Sequence, residues 1–450
     1  AQETYDDASI MKEDLNGSAR YVGMGGAMEA LGADLSVIAT NPAGMGLFRR
    51  AQVAVTGSVV IRPGAPSNGD VNGTKVSFDQ AGFVWSNRMR NNKNLNFAFN
   101  YRKSSNFHGI LEAADALTNA SQNKLTAAKG YEGLFQYDNC YNQADYLNEN
   151  VMGLYDKETG WGYFDAQGYN YRKSTQGYAN EFSFNISGSV TNNFFLGLTV
   201  GVKSLNYEAF TRYNELYDAN WKQTVEYSDH RIIKGSGANI TFGAIIMPIP
   251  GSPFRIGASV QTPTWYSLNT QNTVTMKNNT IYGAKDYMSN NESYDFRLWT
   301  PWKFGVSLGH TIGNSVALGA SYEYAGYSAT KNRVLSGGRY NGTVSSYNDN
   351  DMNNHTKATL KGVHTVKLGA EFKVLPVLAL RAGYNFVSGM YNMNGYRDGT
   401  INSPGTYYSS TTDYTNWKSQ HRVTCGVGFT AGKFGIDVAY QFVTAKGEFA

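Results

Sequence analysis

The chain has little cysteine, little proline and little charge. Its two cysteines, Cys140 and Cys425, are too far apart in sequence to frame a disulfide scaffold or a metal knuckle. Charged residues make up 16%, below the roughly 25% of an ordinary soluble domain. Lys+Arg 39 against Asp+Glu 35 leaves a net charge of only +4. That balance gives no nucleic-acid footprint, which needs a clustered basic face. No run of about 18 apolar residues occurs, which excludes a helical membrane span. His108, His230, His310, His355, His364 and His421 show no paired ligand spacing, so neither a metal nor a cofactor is expected. No secretory signal peptide is present. The opening Ala1-Gln2-Glu3-Thr4-Tyr5-Asp6-Asp7 reads as the mature end of an exported chain, left after cleavage.

What is abundant is aromatic and small. Tyr 32, Phe 23 and Trp 7 bring aromatics to 14%, with Gly 49, far too many rings for a disordered chain. They follow a period of two. Phe182, Phe184, Ile186 and Val190 alternate with Glu181, Ser183, Asn185 and Ser189; then Leu196, Leu198, Val200 and Val202 alternate with Gly197, Thr199, Gly201 and Lys203. Each such segment has one oily face and one polar or small face. Thirteen strands are predicted: 51–62, 76–87, 94–104, 179–190, 194–206, 231–246, 254–266, 292–310, 315–328, 357–373, 377–391, 419–430 and 434–445.

Alternation alone leaves a soluble sandwich open. The connections favour a barrel. Short turns near Arg88–Asn94, Thr191–Asn193, Pro248–Pro253, Thr311–Asn314, Lys373–Pro376 and Ala431–Lys433 alternate with long polar connections at 63–75, 105–178, 207–230, 268–292, 329–356 and 392–418. An up-and-down antiparallel transmembrane β-barrel predicts this, with tight turns on one side of the bilayer and long extracellular loops on the other. Trp85, Tyr101, Trp299, Trp302, Tyr322, Tyr324, Tyr384 and Phe386 fall near strand ends, as interfacial girdles do. Bacterial barrels close with an even strand number, so a fourteenth strand, missing from this sequence, is expected beside the thirteen.

Residues 1–50 do not alternate. They hold Gly23-Met24-Gly25-Gly26-Ala27 and, further on, Asn41-Pro42-Ala43-Gly44, small residues and a turn starter suited to a compact plug inside the barrel. The run Ser18-Ala19-Arg20-Tyr21-Val22-Gly23-Met24-Gly25-Gly26-Ala27, followed by Asn41-Pro42-Ala43, resembles the N-terminal hatch of the FadL family of outer-membrane transporters for long-chain fatty acids and other hydrophobic compounds. The resemblance implies a fourteen-stranded monomeric barrel (residues 51–450) closed by the hatch (residues 1–50). It implies passive uptake through a bacterial outer membrane, amid its lipid and lipopolysaccharide. The Asn- and Tyr-rich loops resemble the Bacteroidetes branch. In that family a kink in the third strand opens a side portal. Here Leu95–Lys103 alternates without Gly or Pro, so a break falls no earlier than Ser104–Gly109.

The 105–178 connection has two stripes at helical spacing. Ile110, Ala114, Leu117, Ser121, Leu125 and Ala128 form one; Tyr141, Ala144, Leu147, Val151 and Leu154 form the other. They suit either a ligand-capture groove or a lid packed on itself. Inward parity places Arg102, Lys203, Arg255, Lys367, Arg381 and Arg422 in the lumen, either to meet a carboxylate headgroup or to pair with lumen carboxylates. Gly305-Val306-Ser307-Leu308-Gly309 matches a hydrolase elbow pattern but continues a strand, so no catalysis is expected. Asn348-Asp349-Asn350-Asp351 reads as a solvated loop tip rather than a Ca²⁺ site. Two alternatives to uptake remain open: a scaffold or partner subunit of an outer-membrane complex such as type IX secretion, and a general porin.

Overall fold

The computed structural model describes residues 3–62, 73–89, 93–218, 222–280, 285–288, 291–340 and 343–450. Parts of the predicted 63–75, 207–230, 268–292 and 329–356 connections, and of the Arg88–Asn94 turn, lie outside the described residues. The N-terminal segment forms α1 (Thr4–Met11), α2 (Ala19–Gly23) and two 3-10 turns, Leu35–Ala39 and Pro42–Leu47. Then come β1 (Gln52–Ile61), β2 (Thr74–Arg88) and β3 (Asn94–Asn106), which β4 (Gly109–Ala120) continues. The largest loop carries α3 (Gln122–Tyr131), α4 (Gln143–Met152) and a small hairpin of β5 (Tyr155–Asp156) and β6 (Gly160–Trp161). Three long strands follow: β7 (Ala166–Thr191), β8 (Phe194–Leu216) and β9 (Thr224–Ile246). Next are β10 (Arg255–Gln261), β11 (Trp265–Asn278), β12 (Lys285–Met288), β13 (Glu292–Trp299), β14 (Lys303–Ile312) and β15 (Val316–Gly326). The chain ends with β16 (Lys331–Tyr340), β17 (Thr343–Asn348), α5 (Asn350–Thr359), β18 (Gly362–Leu375), β19 (Leu378–Val387), α6 (Pro404–Tyr407), β20 (Thr415–Ala431) and β21 (Phe434–Phe449).

Apart from β5 and β6, the strands join one antiparallel sheet in which each wall-crossing strand pairs with the next one along the chain. Among the described residues the wall is crossed thirteen times, by β1, β2, β3, β7, β8, β9, β10, β14, β15, β18, β19, β20 and β21. The two end strands, β1 and β21, are each paired on one side only among the described residues. The oily face looks outward: Val76, Trp85, Val306, Val427 and Phe434 are exposed, at 46% to 80%. The small or polar face looks inward, with Asn96, Asn100, Glu181, Thr199 and Asn239 buried. Phe182 and Leu198 are only half-buried and Val427 is exposed, so no second sheet covers this face. This is an up-and-down β-barrel wall with its apolar side out. Among the described residues no helix is long and apolar enough to cross a membrane, which says nothing of strands.

Several boundaries differ from the sequence reading. The predicted strands 254–266 and 292–310 are each broken, at Thr262–Thr264 and at Thr300–Trp302, because Pro263 and Pro301 lack the N–H a ladder needs. Residues 357–361 of the predicted strand 357–373 lie in or just after α5, which Asp349 caps. Asp349 is therefore no solvated tip: it is buried, accepting from the Met352 N–H at 3.2 Å and the Ser403 hydroxyl at 2.6 Å. The first predicted helical stripe is half strand: Ser121 caps α3 and Leu125 and Ala128 lie on it, while Ile110, Ala114 and Leu117 lie on β4. Pairing with β7 wins over helical spacing there. Finally, β7, β8 and β9 run far past their predicted outer ends, because their polar outer halves keep pairing with one another.

Candidate functional site

Residues 18–48 lie inside the wall, wound around its inner surface, and the wall meets them with glycine. Gly309 of β14, Gly319 of β15, Gly369 of β18 and Gly383 of β19 are direct cross-strand neighbours, one after the next. Gly197 of β8 and Gly243 of β9 form a second such pair. A Cβ at Gly319 would collide with the Ala27 carbonyl, one at Gly369 with Met24, and one at Gly383 with Met24 and Gly25. At Gly197 and Gly243 it would meet Pro42 and Asn41. Main chain thus packs on main chain. Gly25 and Gly26 answer from the other side, with φ of +63° and +80° that a side chain resists.

The Asn41-Pro42-Ala43 triplet has a physical reason. Asn41 caps the Pro42–Leu47 turn, its Oδ1 accepting from the Ala43 N–H at 3.2 Å, and Pro42 takes the first position, where no N–H is needed. Ala43 is small because it packs with Phe195 and Ile245. Inward polar side chains satisfy the segment's carbonyls. Asn96 Nδ2 donates to Met45 O at 2.7 Å, Thr199 Oγ1 to Ile38 O at 2.7 Å, Asn385 Nδ2 to Gly25 O at 3.1 Å and Thr424 Oγ1 to Gly23 O at 3.2 Å.

The six inward basic residues all have protein partners. Lys367 pairs with Glu29 at 2.7 Å, Arg381 with Glu371 at 2.6 Å beside Arg20, and Arg255 donates to the Leu31 carbonyl. Lys203 pairs with Glu13, and Arg422 donates to the Glu13 carbonyl at 3.3 Å. Arg102 pairs with Glu181 within the wall, at 2.8 Å. Four of the six therefore sit on carboxylates, whereas Arg255 and Arg422 hold carbonyl and amide oxygens.

Above this tier the lumen turns apolar. Leu205, Ile233, Leu268, Phe296, Leu298 and Val363 belong to one buried apolar cluster, which Ala8, Ile10 and Met11 of α1 join. The polar side of α1 meets basic residues that the sequence reading did not single out. Asp6 pairs with Arg231 and, at 3.3 Å, with Arg397, which also lies 3.4 Å from Glu3. Arg231 stands at the same inward parity as Ile233, so alternation could have found it. Arg397 sits in the 392–418 connection, where no periodicity points to it. Burial opposes ionisation of Asp6, yet Arg231 and Arg397 overcome it and hold the carboxyl below its usual range. Burial likewise opposes ionisation of Glu13, but Lys203 and Lys303 hold it well below. Burial pushes Glu3 and Asp7 up instead, and among the described residues Glu3 Oε1 and Asp7 Oδ1 have no hydrogen-bond partner.

The wall has a gap beside this arm. The β2–β3 ladder stops at Gln80↔Arg102, although β2 continues outward to Thr74 and β3 to Asn106, past a bulge at Lys103/Ser105. Residues 12–16 cover the gap from inside. Asp14 N donates to Ser104 O at 2.9 Å, Asn106 N to Asp14 Oδ2 at 2.8 Å, and Asn16 Nδ2 to Lys103 O at 3.0 Å and Asp79 Oδ1 at 3.1 Å. At the outer end, Leu147 and Leu154 are buried and Val151 half-buried against Val225, Tyr227, Val274 and Met276, so α4 covers strand ends like a lid. Leu117 on β4 and Leu125 on α3 are half-buried and do not join that cluster.

No family model matches this sequence, and no curated protein does. Solved structures do match. A FadL homologue of Pseudomonas aeruginosa aligns with 96% of this chain and 91% of its own, at 12% identity and a TM-score of 0.51. The toluene transporter TbuX of Ralstonia pickettii aligns over 97% and 99%, at 13% identity and a TM-score of 0.47. The toluene transporter TodX of P. putida aligns over 95% and 92%, at 12% identity and a TM-score of 0.47. The chain therefore has the fold of the FadL-type channels.

Proposed function

We propose that the protein is an outer-membrane channel for passive uptake of hydrophobic small molecules, with long-chain fatty acids as its cargo. One observation carries this reading: an apolar chamber with basic groups at its edge lies inside a wall whose outer face is also apolar. Such a chamber suits an alkyl chain, and Arg231 and Arg397 suit its carboxylate. Residues 18–48 act as the hatch. The close seat around Asn41-Pro42-Ala43 opposes a local shift there, since Gly197 faces the Pro42 main chain and Gly243 the Asn41 amide and the Pro42 ring. The route that fits is therefore entry past the outer loops, a stay in the chamber, and release sideways at the end of the β2–β3 ladder.

The test is uptake of labelled oleate by cells with and without the protein, and by vesicles containing it. Cargo transport predicts faster uptake with the protein present, and weaker uptake for Arg397→Gln. Unchanged oleate uptake on deletion sinks the proposal. Trp85, Trp265 and Trp302, all exposed on the outer face, should be quenched by brominated acyl chains if that face meets hydrocarbon.

A further inference from the structure

Charge is distributed unevenly between the two ends of the wall. None of the six short turns contains Asp or Glu, whereas each of the six long connections does. Arg88, Lys93, Lys373 and Lys433 lie in those turns, and Arg49 and Arg50 lie just before β1; all six are exposed. The inward bases have carboxylate, carbonyl or amide partners. Arg50, Arg88, Lys93, Lys373 and Lys433, by contrast, form no ion pair among the described residues. Four of the rim bases converge. Arg88 is the ladder partner of Asn94, Met89 N donates to Lys93 O at 2.8 Å, and Arg49 Nη1 donates to Asn94 Oδ1 at 3.4 Å, which brings Arg49 and Arg50 to the same turn.

That turn opens onto a groove of about 760 Å³, which Met89 and Leu95 help to line. The size falls within the roughly 300–1,000 Å³ of small-molecule sites. Its base is a row of cross-strand neighbours, Leu95, Gly188, Leu196, Ala244 and Ala258, three of them Gly or Ala. Two residues further along the strands stands a row of larger side chains, Ile186, Leu198, Phe242 and Val260. The groove faces outward: Ile186, Leu196 and Phe242 are exposed, and on the inner side of the wall Gly197 and Gly243 meet Pro42 and Asn41. Membrane strands tilt by about 35–45°, so a groove across them slants through the leaflet rather than lying parallel to its surface.

We propose that this rim and groove form a site for one anionic glycerophospholipid of the leaflet at the short-turn end. Its phosphate sits among Arg50, Arg88 and Lys93, beside Arg49, and one acyl chain lies over Gly188, Ala244 and Ala258. This rests on the membrane placement proposed above but not on the cargo. Guanidinium and ammonium groups complement a phosphate, and bases at a bilayer surface select anionic lipid. A second copy fits the groove less well, because a two-fold contact there would set one basic turn against its twin.

The test counts lipids on the full chain by native mass spectrometry, with palmitoyl-oleoyl phosphatidylglycerol and the phosphatidylethanolamine of the same chains. One phosphatidylglycerol should bind at least tenfold more tightly than the phosphatidylethanolamine, and inorganic phosphate should not displace it. Arg50→Gln, Arg88→Gln and Lys93→Gln together should abolish the preference. Ala244→Leu with Ala258→Leu fills the groove and keeps the bases, and should weaken binding at least fivefold. Lys373→Gln with Lys433→Gln, on turns that do not line the groove, should change it less than twofold. Equal affinity for the two lipids overturns the inference, as does displacement by phosphate, an unchanged triple or groove variant, or a dimer in place of a bound lipid. A loss in the Lys373, Lys433 variant as large as in the triple one also overturns it, since the charge would then act diffusely. All of these results leave uptake standing. If Trp85, Trp265 and Trp302 escape quenching by brominated chains, the membrane placement fails and the inference with it.

Discussion

The N-terminal segment is held in two different ways. Residues 18–48 meet the wall at close quarters, main chain against Gly319, Gly369 and Gly383, with inward Asn96, Thr199, Asn385 and Thr424 bonded to their carbonyls and Lys367 paired with Glu29. Residues 3–16 touch it mainly through side chains: carboxylates on arginines and lysines, apolar groups in an apolar chamber, one asparagine at a strand edge, with main-chain bonds only at residues 12–14. Contacts of the first kind have one arrangement. Contacts of the second kind can be replaced group by group, by water or by another molecule. The difference predicts that residues 18–48, the floor, resist displacement more than residues 3–16, the arm, do.

The comparison can be broken first at the floor. Gly319→Leu drives a side chain into the Ala27 carbonyl. The cost should exceed the ~1–3 kcal/mol of an overpacked core, because backbone cannot re-pack. The expected result is loss of the compact, heat-modifiable form on gel electrophoresis. Gly435→Leu on β21, whose nearest neighbour is the Phe429 carbonyl at 3.9 Å, should leave that form intact. The arm comes next. Arg231→Ala leaves the buried Asp6 carboxylate short of a partner, a loss of about 3–5 kcal/mol. Amide exchange should speed up across residues 4–11 while residues 18–48 stay protected.

Smaller effects sharpen the arm's own chemistry. Glu3 and Asp7 have raised carboxyl values in the fold, so they add a penalty that is absent below the ordinary carboxylate range, about pH 4, and grows as pH rises above it. Asp6 and Glu13 are shifted down, so their stabilisation is present above that range and is lost as pH falls through their lowered values. Protection of residues 4–11 should therefore rise as pH drops from neutral toward about 5 and fall again below about 4. Asp7→Asn should strengthen the arm at neutral pH by about 1 kcal/mol and flatten the upper limb of that profile. If exchange in this stretch does not change with pH, these carboxylates are not what holds it.

Much of the wall was legible because each strand residue reports its face. Phe184, Val200 and Val427 announce the outer side, and Asn96, Thr199 and Lys203 the inner. The breaks at Pro263 and Pro301 were also written in the sequence, as missing N–H groups, but alternation on both sides masked them. The six inward basic residues were found by parity. Two of their partners were not, since Glu13 and Glu29 lie outside any strand and nothing local aims them at Lys203 and Lys367; Glu181 and Glu371 lie on strands. The chamber escaped notice for a similar reason. Its apolar wall comes from strands far apart in the chain, and its occupant is a short helix of mixed character, TYDDASIM, with no apolar stripe. The glycines of the wall were visible as letters, but only the folded chain shows that they share a level.

The floor's contacts carry a consequence for how such a segment can change over time. Glycine facing backbone recognises a path in space, not a set of side chains. Many substitutions along 23–46 should be absorbed, provided they point away from the wall. A single inserted or deleted residue there has no such freedom, because it would displace every later contact along the arc from β20 back to β7. The stretch is constrained less in its spelling than in its length.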